Sequence, residues 1–325
     1  MNLRILSTSP TDADLLTRII AERQRHAAVP LSPAAFDRWQ QAQSRTAWGR
    51  THITQVALLG DDGLQASAAC YALSAVLDGR SVRVQAIGNL LPHTSNPDDA
   101  RPLVEQLAAD AASAGVDVLL LLARQRPSWS EPLGFHDITP PTVELTCPPT
   151  PRPGAPMLSI RAGEDTDLTQ IVGMGNTAWA TSRRFHLVRD ADFIKHGIVV
   201  DRLLAGLSPL GTQRLEFFAT EEGTNAAAYV VMRVTEDGWV LQQCGDRDPT
   251  GARVGAIIQA LVARDPTATA PRIRAWLPPG VVPPQVRSTP SEASLGCVLA
   301  RVLAPARDSA PLTAADALYW RSDCF

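Results

Sequence analysis

The sequence lacks several features that would place it in common classes of protein. It has no uninterrupted apolar run of about 20 residues, so no transmembrane helix is predicted. Its first 20 residues are acidic and amphipathic, which is not typical of a signal peptide. The five cysteines are odd in number and have no C-x-x-C spacing, which zinc sites and redox motifs use. We therefore expect a cytoplasmic protein with reduced thiols and no metal.

An excess of positive charge is also missing. The formal net charge is -3 at pH 7, and Lys195 is the only lysine among 30 basic residues. This balance gives no electrostatic reason to expect nucleic acid or a membrane surface as a partner. The preference for arginine is typical of GC-rich coding and fits a bacterial protein. No HExxH, HxxxH or GxSxG pattern is present, so neither metal-dependent nor serine hydrolysis is predicted.

What the sequence does contain is a long internal repeat. Pairs of apolar runs are joined by acidic-Gly turns, and the whole pattern recurs about 160 residues later, too far apart for a solenoid repeat. Such turns favour β-hairpins because glycine supplies the positive backbone angle that a tight turn needs. The corresponding turns are Asp61-Asp62-Gly63 and Asp78-Gly79 in the first half, and Glu221-Glu222-Gly223 and Asp237-Gly238 in the second.

Length and proline content divide the chain in the same way. A chain of 325 residues is long enough for two domains, each with its own core. A proline-rich stretch between Thr139 and Pro156 cannot continue a helix or a central strand. We therefore predict domain 1 over residues 1–151 and domain 2 over 152–325, with a C-terminal tail, Leu318–Phe325, that docks because aromatic ends rarely stay free.

Each domain is predicted to have an α+β fold, with a mixed, mostly antiparallel sheet and flanking helices. Leu103, Leu107 and Ala111 recur at helical spacing, and the apolar run from Val116 to Leu122 is typical of a strand buried on both faces. The elements predicted for the first domain are helices over 12–26, 33–43, 99–113 and about 127–132, and strands over 3–6, 53–59, 64–75, 81–91, 116–122 and 142–146.

The segment after the buried strand carries a family resemblance. It reads Trp129-Ser130-Glu131-Pro132-Leu133-Gly134-Phe135, and it follows a strand that ends at Pro92, a loop, a helix and the buried strand. This order resembles the GNAT acyltransferase superfamily, where the segment typically reads aromatic-Tyr-Glu-x-Leu-Gly-Phe. The resemblance covers nearly the whole chain as two GNAT-like units, and the first is the clearer. It implies a duplicated GNAT-like fold.

The resemblance also implies an activity and a donor site. GNAT enzymes transfer an acyl group from a pantetheine thioester, usually acetyl-CoA, to an amine, and the pantetheine lies between two central strands that splay apart. By position, Leu90 and Leu91 would bind it in the first unit, and Gln243 and Cys244 in the second. The alternative for the two leucines is an ordinary place in the strand core.

The loops that would hold the CoA phosphates depart from the family pattern. Such a loop needs glycines because backbone N–H groups at a helix N-terminus must approach the pyrophosphate closely. The first unit has no glycine there, and the second has glycines and more positive charge, so charge favours the second. The predicted cofactor-binding residues are Leu90, Leu91, Ser95 and Asn96 in the first unit, followed by the carboxylates Asp98 and Asp99, and Gly251, Arg253 and Gly255 in the second.

The catalytic residues implied by the resemblance are Asn89, Ser130 and Phe325. Ser130 stands where the family often has a tyrosine that protonates the leaving thiolate, and the Phe325 carboxylate is available as an acid or base. Tyr71 is interpreted as a core residue. A general base is also required to take the proton of the amine, and a histidine within reach would serve. The three candidates are His52, His93 and His136.

Three functions remain open from the sequence. The first is an acyltransferase that uses acetyl-CoA or another acyl-CoA and a small-molecule amine. The second is an acyltransferase whose donor is an acyl carrier protein, which brings phosphopantetheine without the adenosine pyrophosphate and needs no phosphate loop. The third is a non-catalytic GNAT-like pair that binds a ligand. The sequence does not identify the acceptor.

Overall fold

The computed structural model describes residues 2–6, 10–27, 29–61, 63–94, 96–148, 158–177, 179–180, 183–264, 271–303 and 310–323. Within these ranges, no helix is long and apolar enough to cross a membrane. The same residues contain no group of three or more His, Cys, Asp and Glu side chains arranged to hold a metal ion.

Seven helices and sixteen strands are described in the ranges above. The first part of the chain forms β1 (Asn2–Leu6), α1 (Pro10–His26), α2 (Pro33–Arg45), α3 (Ala47–His52), β2 (Ile53–Gly60), β3 (Gly63–Leu77), β4 (Arg80–Pro92), α4 (Arg101–Ser113), β5 (Val118–Ala123), β6 (His136–Asp137) and β7 (Thr142–Thr146). The second part forms β8 (Ile160–Ala162), α5 (Leu168–Thr177), β9 (Phe185–Leu187), α6 (Ala191–Leu207), β10 (Gln213–Glu222), β11 (Asn225–Thr235), β12 (Gly238–Asp246), α7 (Ala252–Arg264), β13 (Ile273–Trp276), β14 (Arg287–Pro290), β15 (Cys297–Val302) and β16 (Ala317–Leu318).

These elements form two compact units. Unit 1 contains residues up to Thr139 together with Gly296–Asp316, and unit 2 contains Pro140–Leu295 together with Ala317–Asp323. The predicted division between residues 151 and 152 falls within 149–157, outside the described residues. The structure therefore differs from a simple cut in the sequence, because each unit takes in a segment from elsewhere in the chain.

The two units have sheets of the same design. Unit 1 has the strand order β1-β2-β3-β4-β5-β15-β6, and unit 2 has the order β14-β7-β13-β12-β11-β10-β8. Both are antiparallel except at one central pair, β4 with β5 in unit 1 and β12 with β13 in unit 2. The predicted mixed, mostly antiparallel α+β fold and its duplication are confirmed.

The strand beside each central pair comes from a distant part of the chain. In unit 1 the neighbour of β5 is β15, and in unit 2 the neighbour of β13 is β7. The prediction that 142–146 is the last strand of the first unit is therefore wrong, since β7 pairs with β13 and β14. Alternation predicts a strand but does not say which sheet accepts it.

The hairpin turns of the repeat form as their residues predict. Gly63 and Gly79 have φ values of 108° and 76°, and Gly223 and Gly238 have 65° and 127°. These angles are strained for residues with a Cβ, which is why glycine occupies each turn. The hairpins β2–β3–β4 and β10–β11–β12 are consequently the elements that match best between the prediction and the structure.

Helices cover both faces of the unit 1 sheet. Leu103 and Leu107 of α4 pack with Leu119 and Leu121 of β5 on one face, and Ile19 of α1 packs with Ala57 on the other. The run of turns from Ser128 to Gly134 replaces the helix predicted near 127–132. Pro127 and Pro132 limit the N–H donors available there, so the chain folds into turns instead of a regular helix.

Candidate active site

The central strands of unit 1 part from one another near their C-terminal ends. Pairing between β4 and β5 runs from Val84 with Val118 to Ile87 with Leu121 and goes no further. Strand β4 nevertheless continues to Pro92. Its edge toward β5 is therefore without a strand partner over the last residues, which include Leu90 and Leu91.

A β-bulge lies where the two strands part. Gly88 pairs with Ala69 and Leu91 pairs with Ser67, so Asn89 and Leu90 lie opposite a single residue of β3. Asn89 has a φ of 50°, in the left-handed region that asparagine tolerates better than most residues. Bulges bend the strand that carries them and occur often beside active sites. The bulge turns the end of β4 and creates the opening.

Side chains of the opening divide between core and site. The Leu90 side chain is partly buried and packs against the core on the α4 side, and the Leu91 side chain is largely buried. The Asn89 side chain instead donates a hydrogen bond from Nδ2 to the Tyr71 phenol oxygen at 3.1 Å.

Tyr71 is the residue that the sequence interpretation undervalued. It is fully buried on β3, and burial raises its pKa to about 12, so the phenol is protonated at neutral pH. Nothing local in the sequence distinguishes it from a core tyrosine. The available signal was its place on β3, the strand that pairs with β4.

Ser130 lies in a structural position. Its side chain is fully buried, and its Oγ donates to the Pro127 carbonyl oxygen at 2.7 Å while its carbonyl accepts from the Phe135 N–H at 3.0 Å. These bonds build the turns that carry Leu133 and Phe135 into the core. The structure therefore shows the Ser130 hydroxyl in use within the turns of this segment.

The carboxylate of Asp99 is hydrogen-bonded to other residues of the loop after β4. Asp99 accepts hydrogen bonds from Thr94 Oγ1 at 2.6 Å and from Asn96 Nδ2 at 3.0 Å. Asn96 also accepts from the Asp98 N–H and caps a 3₁₀ turn over Pro97–Ala100. Helix α4 itself begins without a side-chain cap. Ser95 lies outside the described residues.

Unit 2 repeats the opening and the bulge. Pairing between β12 and β13 stops at Leu241 with Ala275. Gln243 pairs with Val231 and Leu241 pairs with Met232, which leaves Gln242 as the bulged residue. The duplication thus extends to the detail that opens the sheet, although the residues there are different.

The opening of unit 2 is bridged by the end of the chain. The Tyr319 ring lies 6.4 Å from the Trp276 ring at the end of β13. Asp323 forms an ion pair with Arg189 at 3.1 Å, and Arg189 donates to the Gln243 side chain of β12. The predicted docking of the tail therefore holds over 317–323, and Phe325 lies outside the described residues.

The loop of unit 2 that was predicted to hold phosphates is occupied by a carboxylate of the chain itself. Asp246 is 0% exposed and accepts the backbone N–H bonds of Arg253 at 2.9 Å and Val254 at 3.3 Å, at the start of α7. The Arg253 side chain contacts Asp246 at 3.0 Å and also Glu222. A helix N-terminus attracts anions, and here Asp246 supplies one, so the positive charge that favoured this loop is already neutralised.

The glycines of that loop serve close packing. Gly251 has a φ of 70°, and an added Cβ would lie 3.5 Å from Pro283 and 3.8 Å from Trp179. At Gly255 an added Cβ would lie on Gln285 Oε1. Both glycines therefore let a covering segment approach the start of α7.

Several polar side chains lie around the bulge of unit 1. Arg23 Nη2 donates to Gln55 Oε1 at 2.9 Å, and Tyr71 lies within electrostatic range of Arg23. His93, at the end of β4, is hydrogen-bonded to Ser67 Oγ at 2.9 Å. We call Arg23, Gln55, Tyr71 and Asn89, with the Ser67–His93 pair, the unit 1 polar cluster.

Structural comparisons identify the fold. Searches of protein-family models and of curated proteins found no match. The chain is similar to a GCN5-related N-acetyltransferase from Anabaena variabilis, with 8% identity over 93% of this chain and 73% of that one, and a TM-score of 0.63. It is similar to Saccharomyces cerevisiae N-myristoyltransferase with bound myristoyl-CoA, with 11% identity over 92% and 82% and a TM-score of 0.55.

One similar structure is itself a tandem protein. It is the tandem GNAT protein from the clavulanic acid biosynthesis pathway, with 10% identity over 94% of this chain and 99% of that one, and a TM-score of 0.50. At these identities the likeness concerns the fold. The chain has a tandem GNAT fold, with two GNAT units in one polypeptide.

Proposed function

We propose that the chain is an N-acyltransferase that moves an acyl group from a pantetheine thioester to the amine of a small molecule, and that unit 1 carries the reaction. The supporting observation is the opening beyond Ile87, where β4 leaves β5 and a bulge places Asn89 beside Tyr71. The matching opening of unit 2 is bridged by the chain's own residues, which favours a scaffold role for that unit.

The unpaired edge of β4 suits a pantetheine arm. That arm contains two amide groups, and an extended ligand can pair with a free strand edge as an added strand does. The backbone groups of Leu90 and Leu91 lie on this edge beyond the last β4–β5 pair. The leucine side chains then need only pack in the core, as they do.

Acid and base roles follow from the unit 1 polar cluster. In the reaction the amine nitrogen attacks the thioester carbon, the carbon–sulfur bond breaks, the sulfur gains a proton and the new amide nitrogen loses one. Tyr71 is the proton donor to the sulfur, and Asn89 positions its phenol oxygen. His93 is the acceptor of the amine proton, because burial lowers its pKa and leaves the ring neutral at neutral pH.

Acetyl-CoA is the simplest donor. The start of α4 has no side-chain cap, and Asp99 is held by Thr94 and Asn96, so its charge is partly satisfied within the loop. A helix N-terminus of this kind can still receive a phosphate. The yeast structure named above also supports an acyl-CoA donor, since it is described with bound myristoyl-CoA.

A second candidate donor is an acyl carrier protein. The loop after β4 contains no glycine, and Pro97 and Pro102 remove two N–H donors near the start of α4. A phosphopantetheine arm lacks the adenosine pyrophosphate and would not need those donors. This candidate predicts that acetyl-pantetheine serves as well as acetyl-CoA.

The test uses matched tyrosines in the two units. Thiol release from acetyl-CoA and from acetyl-pantetheine is measured with a panel of amines, for the wild type, Tyr71→Phe and Tyr229→Phe. Tyr229 is fully buried in unit 2 and donates to Gln243 at 3.4 Å, so it controls for loss of a buried hydroxyl. We expect Tyr71→Phe to lower kcat about 100-fold or more, the scale of general acid catalysis, and Tyr229→Phe to leave it unchanged.

The opposite pattern would assign the reaction to unit 2. Thiol release from neither donor with any amine would favour the non-catalytic, ligand-binding alternative. Release that depends on acetyl-CoA and fails with acetyl-pantetheine would exclude the carrier-protein donor.

A further inference from the structure

Arg23 carries a buried positive charge close to the proposed site. It lies on α1, its side chain faces the sheet, and the residue is 7% exposed. Its Nη2 donates to Gln55 Oε1 at 2.9 Å, and its Nε has no hydrogen-bond partner among the described residues. One of its donors is therefore buried and unused.

Among the residues that the structure describes, none forms an ion pair with Arg23. Gln55 is neutral, and Tyr71 is protonated because burial raises its pKa to about 12. The neighbouring carboxylate, Glu22, is engaged by Arg25 and by His26 at 3.2 Å. Burial lowers the pKa of Arg23 to about 10, which still leaves the guanidinium charged at neutral pH.

A buried cation without an anion is costly, and proteins rarely keep one unless something pairs with it. Two further arginines, Arg18 and Arg25, act electrostatically on His93 together with Arg23, and Glu22 opposes them there. Tyr71 links this charge to the bulge through its contact with Asn89. The unused positive charge thus lies on the same side of the sheet as the residues proposed for catalysis.

We propose that Arg23 binds a carboxylate of the acceptor, so that the substrate of unit 1 is an amino acid or another amine that bears a carboxylate. The planar guanidinium offers paired donors that match a carboxylate, and such pairs are stronger than bonds between neutral groups. This inference rests on the proposed function. A phosphate of the donor is the other possible source of an anion, and the experiment separates the two.

The first test measures stability without any ligand. Arg23→Met keeps the apolar bulk of the side chain and removes the unpaired charge, so its melting temperature is expected to equal or exceed that of the wild type at pH 7. Arg18→Met, an exposed position on the same helix, is the control. A clear loss of stability in Arg23→Met alone would mean that Arg23 serves the fold, and would overturn the proposal.

The second test measures binding. Melting temperatures are recorded with each of the twenty L-amino acids and with the corresponding amino acid amides, which lack the carboxylate. We expect at least one acid, and not its amide, to stabilise the wild type. Arg23→Met should abolish that response, Arg18→Met should retain it, and Arg23→Lys should retain part of it. Three results would each overturn the proposal: the amides raise the melting temperature as much as the acids, no acid raises it, or the rise persists in Arg23→Met.

The third test links binding to turnover and distinguishes the two proposals. With the responding acid as acceptor, Arg23→Met should lower kcat/KM for the acid about 10- to 100-fold, the loss of a charge-assisted bond. The KM for acetyl-CoA should not change, and an increase there would assign Arg23 to the donor phosphates and overturn the proposal. Carboxylate binding without thiol release would refute the acyltransferase only, whereas acylation of the responding acid at a rate unchanged by Arg23→Met would refute the carboxylate site only.

Discussion

Asp246 offers the sharpest test of the proposal that a carboxylate of the chain takes the place of a CoA phosphate in unit 2. Its carboxylate accepts from the N–H groups of Arg253, Val254 and Asp248 at 2.9, 3.3 and 2.9 Å, and from Arg253 Nη1 at 3.0 Å. Asp246→Ala removes all four bonds and leaves Arg253 with Glu222 as its remaining carboxylate partner. Breaking a buried charge pair costs about 3–5 kcal/mol. Because Arg253 keeps Glu222 as a partner, we expect the free energy of unfolding to fall by about 3 kcal/mol, the lower end of that range.

The assay is urea unfolding followed by tryptophan fluorescence, with Asp237→Ala as the matched control. Asp237 is exposed in the turn before Gly238, so its change should stay within about 0.5 kcal/mol. If the carboxylate stands in for a phosphate, inorganic phosphate should restore part of the stability of Asp246→Ala beyond what it adds to the wild type. A loss no larger than that of Asp237→Ala would refute the reasoning.

Two further predictions follow from buried groups. Burial lowers the pKa of His93, so the unfolded chain binds a proton more readily than the folded chain. The free energy of unfolding should therefore fall as pH drops below about 6.5. His93→Gln should reduce that fall in unfolding midpoints measured between pH 7.5 and 5.5, and an unchanged slope would contradict the assignment. Trp320→Ala, at a side chain 1% exposed in the unit 2 core, should cost about 3–5 kcal/mol by urea unfolding. A cost below about 1 kcal/mol would show that the tail is not part of that core.

The elements predicted best are those whose cause is local. Acidic-Gly turns produce hairpins because the chain must reverse within two or three residues, and both hairpin sets form where Gly63 and Gly223 predict. The helical spacing of Leu103 and Leu107 likewise produces α4. These features depend on residues near one another in the sequence, so the sequence pattern is sufficient to predict them.

The site was only partly predictable, because its geometry depends on contacts between residues far apart in the sequence. Leu90 and Leu91 lie beyond the last β4–β5 pair, a position that strand order in this fold determines, and their contact with pantetheine stays a prediction. That Asp246 would fill the loop containing Gly251 and Arg253 was not predictable from charge alone, since it requires β12 and α7 to bring the carboxylate to the helix end. Ser130 matched the family position by spacing, but its hydroxyl is used within its own turn.

The sequence by itself determined that one α+β unit occurs twice, because turn chemistry and apolar periodicity act over a few residues and repeat in both halves. Tertiary structure alone decided that β7 joins the sheet of unit 2 and that β15 joins the sheet of unit 1. A strand's alternation specifies which faces it buries, whereas its neighbours are chosen by the sheet edges left open once the rest has folded. The same holds for Arg23, whose charge becomes informative only when folding buries it with a neutral partner, Gln55.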